Sequence, residues 1–135
     1  MNKIVFTKAL IVQDRRVLVL KRAATAGSGA GGWDLPGGGL EFGEEPLAGI
    51  AREISEETGL IARIDRLLFA TSHISGDMHC VGLVYLGNSD SRDVTLSAEH
   101  TAFDWVTKQR LEEILHTPMW EDYKRNNIHE ILEID

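Results

Sequence analysis

The sequence has a single cysteine, Cys80, which leaves it without a partner for an internal disulfide or a CxxC pair. That scarcity points to a reduced, cytoplasmic protein. Apolar runs approaching the roughly 20 residues needed to cross a bilayer are also missing, because charges interrupt each one, and the opening MNKIVFTKAL has no long apolar segment. A soluble chain with no membrane partner is expected. Bases are scarce as well: 14 Lys plus Arg stand against 21 Asp plus Glu, a formal charge of -7. This balance disfavours gripping a nucleic-acid polymer by its phosphates. No Gly-Lys-Ser/Thr phosphate loop occurs, and His73, His79, His100, His116 and His129 lack the coupling to cysteines that marks structural zinc. The histidines read as surface or strand residues, and Cys80 reads as a small buried side chain.

What is present is concentrated. The 135 residues, 43% of them hydrophobic, suit one domain spanning residues 1–135. Eight of the 13 glycines fall between Gly27 and Gly43, and six glutamates fall between Glu41 and Glu57 with Arg52 as the only base in that window. Most of the net negative charge therefore sits in one short stretch.

Val5–Val12 and Val17–Leu20 read as a β-hairpin around the polar turn 13–16. The small-residue stretch 23–32 reads as an exposed loop, and its Gly27-x-Gly29-x-x-Gly32 lacks the following helix that a dinucleotide fingerprint requires. Leu47, Ile50, Ala51 and Ile54 recur at helical spacing between Pro46 and a stop at Gly59, predicting a helix over Pro46–Thr58. Strands are expected over Ile61–Ile74, Met78–Leu86 and Ala102–Val106, with a polar loop over Gly87–Asp93. A helix over Lys108–His116 and a closing helix over Met119–Ile134 follow, the latter with Trp120, Tyr123, Ile128, Ile131 and Leu132 partly buried. Strands interleaved with helices imply a sheet covered on both faces.

The Pro46 helix breaks local rules. Glu53, Glu56 and Glu57 share an arc about 100° wide beside the apolar face. Like charges at i,i+3 and i,i+4 cost a few tenths of a kcal/mol each, and acids in the last turn oppose the helix dipole at ~0.3–1 kcal/mol each. Gly49 adds about 1 kcal/mol relative to alanine while leaving that face unobstructed. Such a face is either plainly solvated or a site. Clustered carboxylates suit a hard cation, and the glycine turn Leu35–Leu40 just ahead lets backbone groups approach closely. Together they read better as a metal and phosphate site.

Residues 38–60 read Gly38-x5-Glu44-x7-Arg52-Glu53-Ile54-x-Glu56-Glu57-x-Gly59-Leu60, which resembles the box of the Nudix hydrolase (MutT-like) family at every defined position. Trp33–Gly37, Glu99-His100 and Trp105-Val106 also look like family features. The resemblance implies an α/β fold, an α/β/α sandwich with a mixed sheet. It implies a Mg²⁺- or Mn²⁺-dependent enzyme that cleaves a pyrophosphate linkage in a nucleoside diphosphate derivative by water attack on phosphorus. Glu53, Glu56 and Glu57 would ligate metal, with the Gly38 carbonyl and Glu99 as further ligands. Arg52 would hold the glutamates in orientation, Glu44 would serve in the outer shell, and Glu57 or Glu99 would accept the water proton. Met119-Trp120-Glu121-Asp122 is similar to the base-binding segment of oxidised-purine triphosphatases in the family. On that likeness Trp120 would stack and Asp122 would hydrogen-bond the base of a nucleoside triphosphate, an oxidised purine among them. ADP-ribose or another nucleoside diphosphate sugar, and a non-catalytic nucleotide-binding module, are the alternatives. A homodimer is the family habit.

Overall fold

The computed structural model describes residues 2–25 and 31–135. Half of the glycine loop expected over 23–32, including Gly27 and Gly29, lies outside the described residues.

The chain opens with β1 (Asn2–Gln13) and β2 (Arg16–Arg22), followed by the short strands β3 (Trp33–Asp34) and β4 (Gly37–Gly39). Then come α1 (Pro46–Thr58), β5 (Ala62–Ser75), β6 (Met78–Ser89) and β7 (His100–Val106). Three short helices close the chain: α2 (Lys108–Ile114), α3 (Met119–Arg125) and α4 (Ile128–Ile131). β1 runs parallel to β6 and antiparallel to β2 and β4, so the sheet is mixed. Its main order is β3-β2-β1-β6-β5, with β7 paired to β2.

Alternation along the strands divides the core between two faces. Leu10, Val17, Val19 and Val84 pack with Leu111, Tyr123 and Ile128 of the closing helices. Ala9, Ile11, Leu18, Leu20 and Tyr85 pack with Ile50 and Ile54 of α1. The architecture is thus an α/β/α sandwich. Ile50 and Ile54 are fully buried, contributing roughly 1.5–3 kcal/mol each, which outweighs the Gly49 and like-charge costs within α1.

The structure corrects three local expectations. The hairpin turn holds two residues rather than four, with Asp14 and Arg15 at φ 48° and 63°, the paired positive values of a primed turn. β6 continues through Ser89, because Gly87, Asn88 and Ser89 pair with Ile64, Arg63 and Ala62. The strand-like glycine turn forms β4, as expected, registered against Phe6, Thr7 and Lys8. The closing helix is broken: Asn127 turns left-handed at φ 53° between α3 and α4, which leaves Ile131 39% exposed. No helix among the described residues is long and apolar enough to cross a membrane.

Candidate functional site

Glu53, Glu56 and Glu57 of α1 line one cavity of about 810 Å³ with Gly37, Gly38 and Gly39 of β4. Its sheet side carries Ile4, Phe6 and Lys8 from β1, Arg22 from β2, and His73 and Cys80 from β5 and β6. Glu99, in the turn before β7, and Thr117 to Met119, leading into α3, complete the wall.

Pro46 and Gly59 bound α1 as the sequence predicts, Gly59 being left-handed at φ 71° and donating its N–H to the Ser55 carbonyl. Burial of Ile50 and Ile54 fixes the helix rotation and so aims its acids at the cavity. Gly49 does not leave an open face: a Cβ there would lie 2.3 Å from Leu40 Cδ2 and 3.0 Å from Glu44 Oε1. The glycine lets the segment between β4 and α1 lie against the helix.

Arg52 joins those pieces. Its Nε and Nη2 donate to the two Glu44 oxygens at 2.8 and 2.9 Å, and Nη2 also donates to the Gly39 carbonyl at 3.3 Å. Nη1 donates to Glu53 Oε1 at 3.0 Å and Glu56 Oε2 at 3.3 Å. The five guanidinium donors are thereby matched to five contacts. Hydrogen bonds from Arg52, then from the Glu41 backbone, lower the Glu44 pKa to about 2. Arg52 in turn is raised, chiefly by Glu44.

Glu57 sits differently. It is only 4% exposed, and its Oε1 accepts the Gly37 N–H at 2.7 Å. Burial first, then the charges of Glu53 and Glu99, raises its pKa to about 7 against the lowering effects of the Gly37 bond and Lys8. Its Oε2 is 3.5 Å from Nε2 of His100, which is buried at the start of β7. Burial, followed by Arg22 and Lys8, lowers the His100 pKa, so this imidazole is neutral at pH 7. Lys8 pairs with Asp34 at 3.0 Å and donates to the Leu35 carbonyl at 3.3 Å.

Glu53, Glu56, Glu57, Glu99 and Gly38 thus share a cavity, with Arg52 and Glu44 beside it. Trp120 and Asp122 do not line it. The Trp120 ring stacks on Tyr123 at 4.5 Å, and Asp122 accepts from Thr71 Oγ1 and Arg125 Nη1. The sequence does not single out Lys8, and it sets His73 and Cys80 aside as strand or buried residues, while His100 enters only beside Glu99 as a family feature; Cys80 is half-buried and lines the cavity. Lys8 left a trace as a charge inside the apolar run Val5–Val12.

The acids provide the hard oxygen donors that Mg²⁺ and Mn²⁺ favour. Gly38 is close enough to Glu53 that a Cβ there would lie 2.8 Å from its carboxyl carbon. This chemistry fits a divalent ion, although among the described residues no three acidic, histidine or cysteine side chains converge on one point. Glu53 and Glu56 turn toward Arg52, and Glu57 toward Gly37.

A mixed sheet with this helix on one face and a glycine strand paired to β1 has solved counterparts. The MutT protein from Methanosarcina mazei Go1 matches with a TM-score of 0.86 over 96% of each chain, at 27% identity. The model of the NUDIX domain matches residues 4–128, and the chain belongs to that family. A MutT-like protein of Streptomyces ambofaciens is 34% identical over 104 residues, 77% of this chain and 63% of that protein. The nucleoside triphosphatase NudI of Escherichia fergusonii is 32% identical over 113 residues, 76% of this chain and 80% of that protein. The chain therefore spans less than two thirds of the Streptomyces relative.

Proposed function

We propose that this protein is a Mg²⁺- or Mn²⁺-dependent pyrophosphohydrolase acting on a nucleoside diphosphate derivative, foremost a nucleoside triphosphate. The observation that carries the reading is Glu57, a carboxylate 4% exposed in a cavity shared with three other glutamates. A cation would relieve that arrangement, and an anionic substrate needs the same cation to approach. A relative named as a nucleoside triphosphatase supports the choice of substrate class. The single thiol fits a reducing cytoplasm.

Glu53, Glu56, Glu57 and the Gly38 carbonyl would hold the ion. When bound, it would screen phosphate charge and lower the pKa of a water. Arg52 orients Glu53 and Glu56 through its Nη1 and anchors itself on Glu44. Lys8 and Arg22 bring positive charge to the sheet side for phosphate oxygens. Glu99 is the proton acceptor in this scheme: its carboxylate has no hydrogen bond or ion pair among the described residues, while Glu57 accepts the Gly37 N–H. Trp120 and Asp122 lend no support to an oxidised-purine preference, since neither lines the cavity.

The test is a panel of nucleoside triphosphates, ADP-ribose and nucleoside diphosphate sugars, with products separated by chromatography. Mg²⁺-dependent release of phosphate, pyrophosphate or monophosphate is expected. Nucleotide binding by calorimetry with no product from any compound would replace the enzyme with a binding module. Gly38→Ala gives a finer check, because its Cβ would strike the end of the Glu53 side chain rather than backbone. Turnover should fall about 10–100-fold with the melting temperature nearly unchanged. Full turnover in that variant would remove Glu53 from the reacting centre.

A further inference from the structure

A bulge between β2 and β7 settles the direction of His100. The register runs Leu20–Phe103 and Lys21–Ala102 and then shifts to Arg22–His100, which leaves Thr101 without a partner in it. Plain alternation along β7 would put His100 on the side of Ala102. The extra residue puts it on the side of Arg22 instead, the side of Leu18 and Leu20, against which Ile50 and Ile54 of α1 pack. A side chain from β7 is thereby brought to Glu57 of α1.

The contact is enclosed: the His100 side chain is 2% exposed and that of Glu57 5%. Glu57 Oε1 accepts the Gly37 N–H at 2.7 Å, and Oε2 faces His100 Nε2 at 3.5 Å. His100 Nδ1 is buried with no hydrogen-bond partner among the described residues. A ring proton on Nδ1 would be an orphaned donor and would leave the Nε2 lone pair against a carboxylate oxygen. The neutral ring therefore carries its proton on Nε2, directed at Oε2. At 3.5 Å the hold is long, and the low dielectric around it strengthens it. Each Glu57 oxygen then faces one donor, Gly37 from β4 or His100 from β7, which fixes the plane of the carboxylate and leaves further lone pairs for a cation.

We infer that His100 is a positioning residue for Glu57, its Nε2–H setting the direction in which the Glu57 carboxylate presents oxygen to a divalent ion. The inference rests on the metal reading above and deepens it. Arg52 orients Glu53 and Glu56, but its hydrogen bonds reach neither oxygen of Glu57, so the third acid of α1 takes its orientation from the sheet.

Mn²⁺ binding to the metal-free protein, measured by electron paramagnetic resonance without nucleotide, tests it apart from turnover. His100→Leu removes the donor and should weaken Mn²⁺ affinity about 10–100-fold. His100→Gln sets an amide N–H where Nε2–H sits and should recover most of that loss, whereas His100→Asn, whose shorter amide falls at the Nδ1 position, should not. Turnover of whichever nucleotide is cleaved should follow the same order, through kcat rather than KM. The Gln and Asn variants are both polar, so their comparison carries the test even where His100→Leu does not fold. Equal Mn²⁺ affinity in those two variants, or wild-type affinity in His100→Leu, would reduce His100 to packing and overturn the inference. If Glu57→Gln alone loses affinity, the metal reading stands and the positioning role falls; if the wild type binds no Mn²⁺, both fall. A nucleotide panel that yields no product would instead remove the hydrolase reading, with the order of Mn²⁺ affinities still deciding the role of His100.

Discussion

Glu57→Gln is expected to abolish most turnover and to make the metal-free protein more stable. Glutamine keeps an oxygen for the Gly37 N–H, so β4 and α1 remain joined, but it carries no charge. The activity loss should be about 10²–10³-fold, the scale for removing a group that stabilises charge in a transition state. The stability gain follows from burial. Glu57 has a pKa of about 7 in the folded protein against an ordinary 4.5, so between these values the native state holds the extra proton. Stability then falls as pH rises, since the unfolded chain has already released its proton. The penalty is absent below about pH 4.5 and complete above about pH 7, at roughly 3 kcal/mol. In EDTA at pH 8.5, Glu57→Gln should melt several degrees above wild type, with the gap closing toward pH 4.5. Mg²⁺ should raise the wild-type melting temperature more than that of the variant. Unchanged turnover would sink the catalytic assignment, and a gap independent of pH would sink the burial argument.

That opposition explains what the sequence made legible. Pro46, the Leu47–Ile54 spacing and Gly59 are local signals, and they set the bounds of α1 without help from the rest of the fold. The acids stood out because they offend local rules, which is where a site is expected to surface. Other features depend on partners distant in sequence. Gly49 has its reason in Leu40 and Glu44, which lie against it only after the chain turns back. His100 acquires significance only when β7 brings it to Glu57, and His73 only when β5 and β6 set it beside Phe6. Asn127 ends the closing helix by one left-handed residue, which an apolar period running through it does not reveal. A short likeness suggests a base site at Trp120 and Asp122; in the fold Trp120 stacks on Tyr123, Asp122 accepts from Thr71, and neither lines the cavity.

Gly37→Ala should produce the largest loss of stability among the changes considered. Gly37 has φ 141°, a region that residues with a Cβ rarely enter, at a cost of about 1–3 kcal/mol. The added Cβ would also fall 2.0 Å from the Thr7 carbonyl oxygen and 2.8 Å from Lys8 Cα. Both obstacles are backbone in β1, fixed by pairing with β6, so they cannot turn aside as Glu53 can next to Gly38. β4 must leave β1, giving up the register of Phe6–Gly39, Thr7–Gly38 and Lys8–Gly37. With strain and lost ladder together, about 3–5 kcal/mol is expected, or ten degrees or more in melting temperature. Glu57 would lose its backbone donor at the same time, so its pKa should rise further and activity fall with stability. The pairing of Gly37→Ala with Gly38→Ala separates two uses of adjacent glycines. A Gly37→Ala protein melting within about two degrees of wild type would mean that β4 does not lie against β1 as placed, and would remove the support on which the buried position of Glu57 depends.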